Sequence, residues 1–223
     1  MTTTTQQEKT TAVSSKRPRA AAPPRRRMSY EDFLDWLDED THAEWVNGEV
    51  IMHSPVSLRH QKVGGLLLSI IKIFVEDHQL GQVSYDPFQM KIGPDFPGRA
   101  PDILFVATEN LVRLKPNLLE GPADLVVEIV SPESRGRDRG DKHFEYERGG
   151  VREYWLIDPE RTLAEFNHLG PDGRYHLALP DANGVFRSAV LPGLWLKVDW
   201  LWQDPPPAVR DVLAAWDAAA PAS

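Results

Sequence analysis

Two short apolar segments are each interrupted by a carboxylate, Asp102 in one and Glu128 in the other, and this pattern constrains the fold more than any other part of the chain. Residues 101–106 and residues 124–130 are almost continuously apolar apart from their acidic residues. Runs this short and this apolar are typical of strands that are covered on both faces of a sheet. A carboxylate in such a strand is costly unless a cation or an ion pair compensates it. Asp102 and Glu128 therefore require partners, and the sequence predicts a sheet with helices on both faces.

The rest of the chain predicts the elements around this sheet. Ser29 predicts the N-cap of the first helix, and Asn47-Gly48 predicts the turn of a hairpin over 43–52. Periodicity and breaker residues predict helices from 29 to about 40, over 58–78 and over 138–148, and strands over 83–92, 101–106, 124–130, 153–158, 162–168, 174–179 and 185–190, the last three being successive and antiparallel. The predicted fold class is α/β (α+β): a central mixed β-sheet flanked by helices, with an N-terminal hairpin and C-terminal antiparallel strands.

Charge divides the chain into segments. Residues 1–27 hold seven of the 25 basic residues and one of the 33 acidic residues, so this segment carries +6 and the rest carries −14. The segment has few large apolar residues, which predicts a disordered basic arm that either contacts nucleic acid phosphates or serves only as a solubilising leader. We expect one domain over 28–203 and a Pro/Ala-rich tail, with its own short helix, over 204–223.

Composition excludes several classes of protein. The chain has no cysteine, which rules out a disulfide scaffold and a thiolate zinc site and fits a cytoplasmic location. No apolar run approaches the roughly 20 residues that span a bilayer, so no membrane association is expected. Nucleotide-binding glycine loops, the zinc-protease helix motif and the serine-hydrolase elbow are all missing from the sequence.

The two strand carboxylates form the candidate site. Alternation along a strand places Asp102 with Leu104 and Glu128 with Val126. If the two strands are neighbours, both carboxylates lie on one face near one end of the sheet, and such a pair of oxygen donors suits Mg²⁺. The alternative is two structural ion pairs, for instance with Lys142 or Arg137.

Further residues supplement this pair. Lys142 lies on the predicted helix beside Tyr146, where its ammonium can orient a water and stabilise charge on phosphorus, or can simply be solvated. Glu44 and Glu49 flank the hairpin turn, either as additional acidic residues of the site or as exposed charges. The pair His60-Gln61 begins the second helix and supplies either auxiliary polar groups or a cap.

The ordered set of motifs resembles a known family. Pro101-Asp102, Glu128 and a lysine resemble the PD-(D/E)XK nuclease superfamily, although the position two after the glutamate is Val130 instead of lysine. The chain is more closely similar, over roughly 28–203, to the Uma-two family of restriction endonucleases (domain-of-unknown-function family 820). The matching segments are Glu44, Gly48-Glu49, Ser54-Pro55, His60-Gln61, 124–134, Asp138, Lys142, Tyr146, 150–159 and 191–194.

The resemblance implies a mechanism. In the Uma-two family the lysine has moved from the strand to the following helix, where Lys142 matches it. The resemblance implies a restriction-endonuclease-like core in which Asp102 and Glu128 hold Mg²⁺, with Mn²⁺ as a substitute and the Ile129 carbonyl as a further ligand. Lys142 would position the attacking water, and Glu44 would assist.

The expected function follows from that resemblance. The chain is expected to be a metal-dependent endodeoxyribonuclease with DNA as its partner, and to associate as a homodimer. Two alternatives stay open at this point: an inactive nucleic-acid-binding or interaction module with the same fold, and an RNA-directed or repair-type nuclease.

Overall fold

A computed structural model describes residues 27–38, 41–131 and 134–219. The basic arm predicted over 1–27 lies outside these residues, apart from Arg27. The helices are α1 Tyr30–Trp36, α2 Leu58–Asp77, α3 Arg135–Arg137, α4 His143–Gly149 and α5 Val209–Ala219, with a π-helical turn Asp138–Lys142 between α3 and α4 and 3-10 segments Thr108–Arg113 and Val198–Trp202. The strands are β1 Ala43–Val46, β2 Glu49–Met52, β3 Gly81–Tyr85, β4 Gln89–Lys91, β5 Gly98–Arg99, β6 Ile103–Ala107, β7 Leu118–Glu120, β8 Leu125–Ile129, β9 Glu153–Asp158, β10 Leu163–Leu169, β11 Tyr175–Ala178, β12 Val185–Arg187 and β13 Trp195–Lys197.

A mixed six-stranded sheet forms the centre of the fold. Its strand order is β11-β10-β9-β8-β6-β3. Only β8 and β9 run parallel, and the other neighbouring strands are antiparallel. A second sheet, β2-β1-β5-β4-β7, contains the N-terminal hairpin. The predicted class, a mixed sheet flanked by helices, is confirmed.

The two faces of the central sheet bury separate apolar clusters. On one face the stripe of α2 packs on side chains such as Phe105 and Trp155, and α5 adds the buried Val212. On the other face Val126 and Leu156 pack with Tyr146 of α4. Burial of each large apolar side chain stabilises the fold by about 1.5–3 kcal/mol. These clusters hold the strands that carry the acidic residues in a fixed register.

Local signals at the N-terminal end are confirmed. Ser29 caps α1 by accepting a hydrogen bond from the backbone N–H of Asp32 at 3.0 Å. Asn47 and Gly48 have φ values of 50° and 91°, as a two-residue hairpin turn requires. The first helix nevertheless ends at Trp36, several residues before the predicted boundary, because Leu37 adopts an extended conformation.

Two strand predictions were wrong. The strand predicted over 83–92 is divided into β3 of the central sheet and β4 of the second sheet. Pro87 lies between them and has no N–H to donate to a ladder. The strand predicted over 185–190 pairs with β13 in a separate two-stranded sheet and does not extend the antiparallel series after β11.

The helix predicted over 138–148 starts earlier, at Arg135, and consists of α3, the π-helical turn Asp138–Lys142 and α4. It ends at Gly149, and Gly150 follows with φ 85°, the left-handed conformation that favours glycine. The predicted tail helix also forms, as α5, and Trp216 of this helix makes an edge-to-face contact with Phe74 of α2. None of the helices formed by the described residues could cross a bilayer.

Candidate active site

The two strand carboxylates lie on neighbouring strands and on the same face. Strands β6 and β8 are antiparallel, with Ile103 opposite Val127 and Leu104 opposite Val126. One step further along this register sets Asp102 opposite Glu128. Their side chains alternate onto the face that carries Leu104 and Val126. The geometric condition set by the sequence analysis is therefore met.

Both carboxylates line a cavity of about 220 Å³. This cavity brings together most of the residues predicted from the sequence. Its walls are formed by Met52, His53, Ser54, Pro55, Val56, His60, Ala100, Asp102, Glu128, Ile129, Ser131, Ser134, Arg137, Asp138 and Lys142. The side chain of Asp102 is 24% exposed, whereas that of Glu128 is 4% exposed, so Asp102 is the more accessible of the two.

The ammonium of Lys142 lies among three carboxylates. Its Nζ is 3.0 Å from Glu128 Oε2, 3.1 Å from Glu44 Oε1 and 3.3 Å from Asp138 Oδ1. The π-helical turn buries both Asp138 and Lys142; π-turns inside helices are frequent at functional sites. The phenol of Tyr146 donates to Glu128 Oε1 at 2.7 Å. Both oxygens of Glu128 therefore have hydrogen-bond partners.

The charges in this cluster shift one another's pKa values. Burial raises the pKa of Glu128 well above its usual range; Lys142 opposes this effect and the neighbouring carboxylates reinforce it. Burial alone would lower the pKa of Lys142, but Glu128 and the other carboxylates outweigh it and raise the pKa well above its usual value. Lys142 therefore stays an ammonium. Burial would raise the pKa of Glu44, but Lys142, His53 and Arg99 hold it well below its usual range.

A buried arginine that the sequence analysis did not identify fixes Glu44. Arg99 is 2% exposed. Its Nη1 donates to Glu44 Oε2 at 3.0 Å, and its Nε and Nη2 form a two-bond fork with Glu145, both at 2.8 Å. The backbone N–H of Ala100 also donates to Glu44, at 3.3 Å. Arg99 follows a Gly/Pro-rich loop, and an isolated charge beside a loop gives no periodic signal of burial.

Asp102 has its own partners. Its Oδ2 accepts a hydrogen bond from the backbone N–H of Ile129 at 2.6 Å, and its Oδ1 lies 3.4 Å from His60 Nε2. Burial would lower the pKa of His60, but Asp102 outweighs this effect and the pKa is raised. Ser57 caps α2 by accepting from the backbone N–H of His60 at 3.1 Å, which sets the histidine at the cavity wall.

Of the predicted auxiliary residues, Tyr146 contacts Glu128 without lining the cavity, and two others lie away from the site altogether. Glu49 is 62% exposed and pairs with Arg27, because it lies at the turn end of the hairpin. It is opposite Val46, which is two residues beyond Glu44 along β1. Gln61 is exposed, since one step along α2 from His60 rotates the side chain by about 100°. Asp138 was identified in the sequence as one of the positions that resemble the Uma-two family, and its contact with the Lys142 ammonium is a structural result.

Comparison with known proteins identifies the family and agrees with the fold. Residues 30–199 match the sequence model of the Uma2 family, whose description is "Putative restriction endonuclease". A crystal structure described as a putative nuclease belonging to DUF820 from Anabaena variabilis is similar, with a TM-score of 0.66 and 17% identity over 78% of this chain and 97% of that chain. That likeness shows the fold. A search of the curated proteins finds no match. Because the family model covers most of the chain, the protein belongs to the Uma2 family, the restriction-endonuclease-like family that its sequence resembles.

Proposed function

We propose that this protein is a Mg²⁺-dependent endonuclease that hydrolyses DNA phosphodiester bonds with a metal-activated water. One observation carries the proposal: Asp102 and Glu128 lie opposite each other on one face of the sheet and line the same cavity as the Lys142 ammonium. The family description supports the nuclease class.

The donors in the cavity fit a hard divalent cation. Asp102 and Glu128 offer carboxylate oxygens, and Ile129, which also lines the cavity, offers a backbone carbonyl. Within residues 27–38, 41–131 and 134–219, no group of three His, Asp or Glu side chains is arranged to hold a metal ion. Mg²⁺ does not require one, because it is commonly held by one or two carboxylates with waters and substrate phosphate as further ligands. The excess of carboxylates over basic groups around Glu128 also favours a cation.

The residues of the chain would divide the chemistry between them. When bound, Mg²⁺ acts as a Lewis acid toward the phosphate and lowers the pKa of a bound water. Lys142 supplies a fixed positive charge at the cavity wall, where it would stabilise the negative charge that develops on phosphorus. Glu44 holds that ammonium from the side of the second sheet, and Arg99 holds Glu44. The backbone N–H of Ile129 orients Asp102.

Cleavage by isosteric variants tests the proposal. The full chain is incubated with plasmid DNA, single-stranded DNA and RNA in Mg²⁺ or Mn²⁺. Asp102→Asn, Glu128→Gln and Lys142→Met are expected to lower DNA cleavage by at least about 100-fold, while melting temperatures show whether each variant is folded. Glu49→Gln is the matched control, because it makes the same change at an exposed carboxylate and should retain activity. Wild-type protein that cleaves no nucleic acid in either metal contradicts the proposal. Preferential cleavage of RNA would show that RNA, instead of DNA, is the substrate.

One observation favours the second candidate, an inactive nucleic-acid-binding or interaction module. Lys142 already pairs with three carboxylates, so the cluster can serve as a purely structural ion network. Titration calorimetry with Mn²⁺ distinguishes the nuclease from the inactive module. Mn²⁺ binding that disappears in Asp102→Asn supports the nuclease, whereas nucleic acid affinity without metal binding at millimolar concentration supports the module.

A further inference from the structure

The cavity wall also contains a cation that the acidic cluster does not use. Arg137 lines the cavity together with Asp102 and Glu128. Its Nε is buried and has no hydrogen-bond acceptor among the described residues. A buried donor without an acceptor is destabilising, and more so when it is charged. The side chain as a whole is partly exposed and lines the cavity, so acceptor oxygens of a ligand bound there would lie beside it.

The neighbouring basic groups are already paired. Lys142 is bound by three carboxylates and Arg99 by two, and Arg139 pairs with Glu165. Within the part of the chain that the structure describes, Arg137 has no carboxylate partner within 4.0 Å. It is therefore the basic side chain at this cavity whose charge stays available for an external anion.

The backbone at Arg137 is held in place. Its N–H donates to the carbonyl of Ser134 at 2.8 Å. The Ser134 hydroxyl is 3.1 Å from that of Ser131 and donates to Asp138 Oδ2 at 2.5 Å. Arg137 immediately precedes Asp138, whose carboxylate contacts the Lys142 ammonium. The hydrogen bonds of Ser134 therefore fix the position of Arg137 relative to the acidic cluster.

A phosphodiester needs such a group here. The cavity contains the carboxylates of Asp102, Glu128 and Asp138, which repel an anionic substrate. A guanidinium binds phosphate oxygens through two parallel hydrogen bonds and keeps its charge at any working pH. We propose that Arg137 binds a phosphate of the nucleic acid substrate beside the carboxylates. This inference rests on the proposed function and adds a substrate-binding residue to it.

Equilibrium binding tests the inference separately from cleavage. Fluorescence anisotropy of labelled DNA oligonucleotides is measured with the full chain in Ca²⁺ over a series of salt concentrations. Arg137→Ala is expected to raise Kd at least 10-fold and to lower the slope of log Kd against log salt by about 0.7–0.9, the value for one lost phosphate contact. Arg137→Lys should give an intermediate Kd because the charge remains but the two-bond geometry is lost. The control is Arg210→Ala, an arginine of α5 that is 89% exposed and should bind as wild type.

The outcomes separate the two proposals. Arg137→Ala that melts as wild type and binds DNA with unchanged Kd and salt slope overturns the inference, as does wild-type protein that binds no DNA. Wild-type protein that binds DNA through Arg137 but cleaves none in Mg²⁺ or Mn²⁺ overturns the proposed endonuclease and leaves the phosphate site in place. Loss of affinity in Arg210→Ala equal to that in Arg137→Ala also overturns the inference, because the effect would then reflect net charge.

Discussion

Replacement of Arg99 should destabilise the protein strongly, because this guanidinium compensates two acidic side chains in the interior. The side chain of Glu44 is 0% exposed and that of Glu145 is 17% exposed. Arg99→Met removes three charged hydrogen bonds and leaves a buried carboxylate with less compensation. Removal of one partner from a buried ion pair costs about 3–5 kcal/mol, which for a domain of this size corresponds to a fall in Tm of about 6–20 °C.

Urea unfolding followed by tryptophan fluorescence measures this change. Arg99→Lys keeps the charge but cannot form the fork with Glu145, so an intermediate loss of about 1.5–3 kcal/mol is expected. A double-mutant cycle with Glu145→Gln should give a coupling energy of about 0.5–3 kcal/mol. If Arg99→Met lowers the free energy of unfolding by less than about 1 kcal/mol, the guanidinium does not stabilise the acidic cluster in the way argued from these distances.

Three other changes test separate parts of the structure. The pKa of Glu147 is lowered mainly by the backbone N–H of Tyr175. Glu147→Gln should therefore destabilise the protein by about 1 kcal/mol or less near neutral pH. The difference in Tm from wild type should vanish as the pH falls through the pKa of Glu147 in the folded state. Gly81→Ala would place a Cβ 2.1 Å from a backbone oxygen at φ +150° and should lower the free energy of urea unfolding by more than about 2 kcal/mol. In Gly65→Ala, on α2, the new Cβ meets nothing within 4 Å, so this variant should be stabilised by up to about 1 kcal/mol. Equal effects of the two substitutions would contradict the packing described for Gly81. Replacement of the three arginines at 25–27 by glutamine should lower the salt slope of DNA binding if the basic arm contacts phosphates, and an unchanged slope would favour the solubilising leader.

The candidate site was predictable where strand alternation governs it. Asp102 and Glu128 stand out because a carboxylate in an apolar strand needs compensation, and period-two alternation gives the face of each side chain. The sequence could not show that these two strands are neighbours. The structure shows it, because β6 and β8 pair in register. The break at Pro87 had a visible signal, since a proline interrupts a strand ladder.

Other contacts of the site depend on elements that are distant along the chain. Arg99 joins Glu44 of the hairpin to Glu145 of α4, and residue spacing carries no information on contacts of that kind. Lys142 was predicted to act on water, but the number of carboxylates around its ammonium is set by the packing of the second sheet against the π-helical turn. That Arg137 has no carboxylate partner among the residues that the structure describes likewise appears only when the partners of its neighbours are known.

The amino-acid sequence by itself determined the fold class and the two strand carboxylates, because these follow from local periodicity and from residue types that are costly in an apolar strand. The family was indicated by the resemblance of its ordered motifs. Tertiary structure alone decided which charges meet. Ion pairing depends on distances of a few ångströms between side chains on different elements, and those distances are fixed only when both faces of the central sheet are packed.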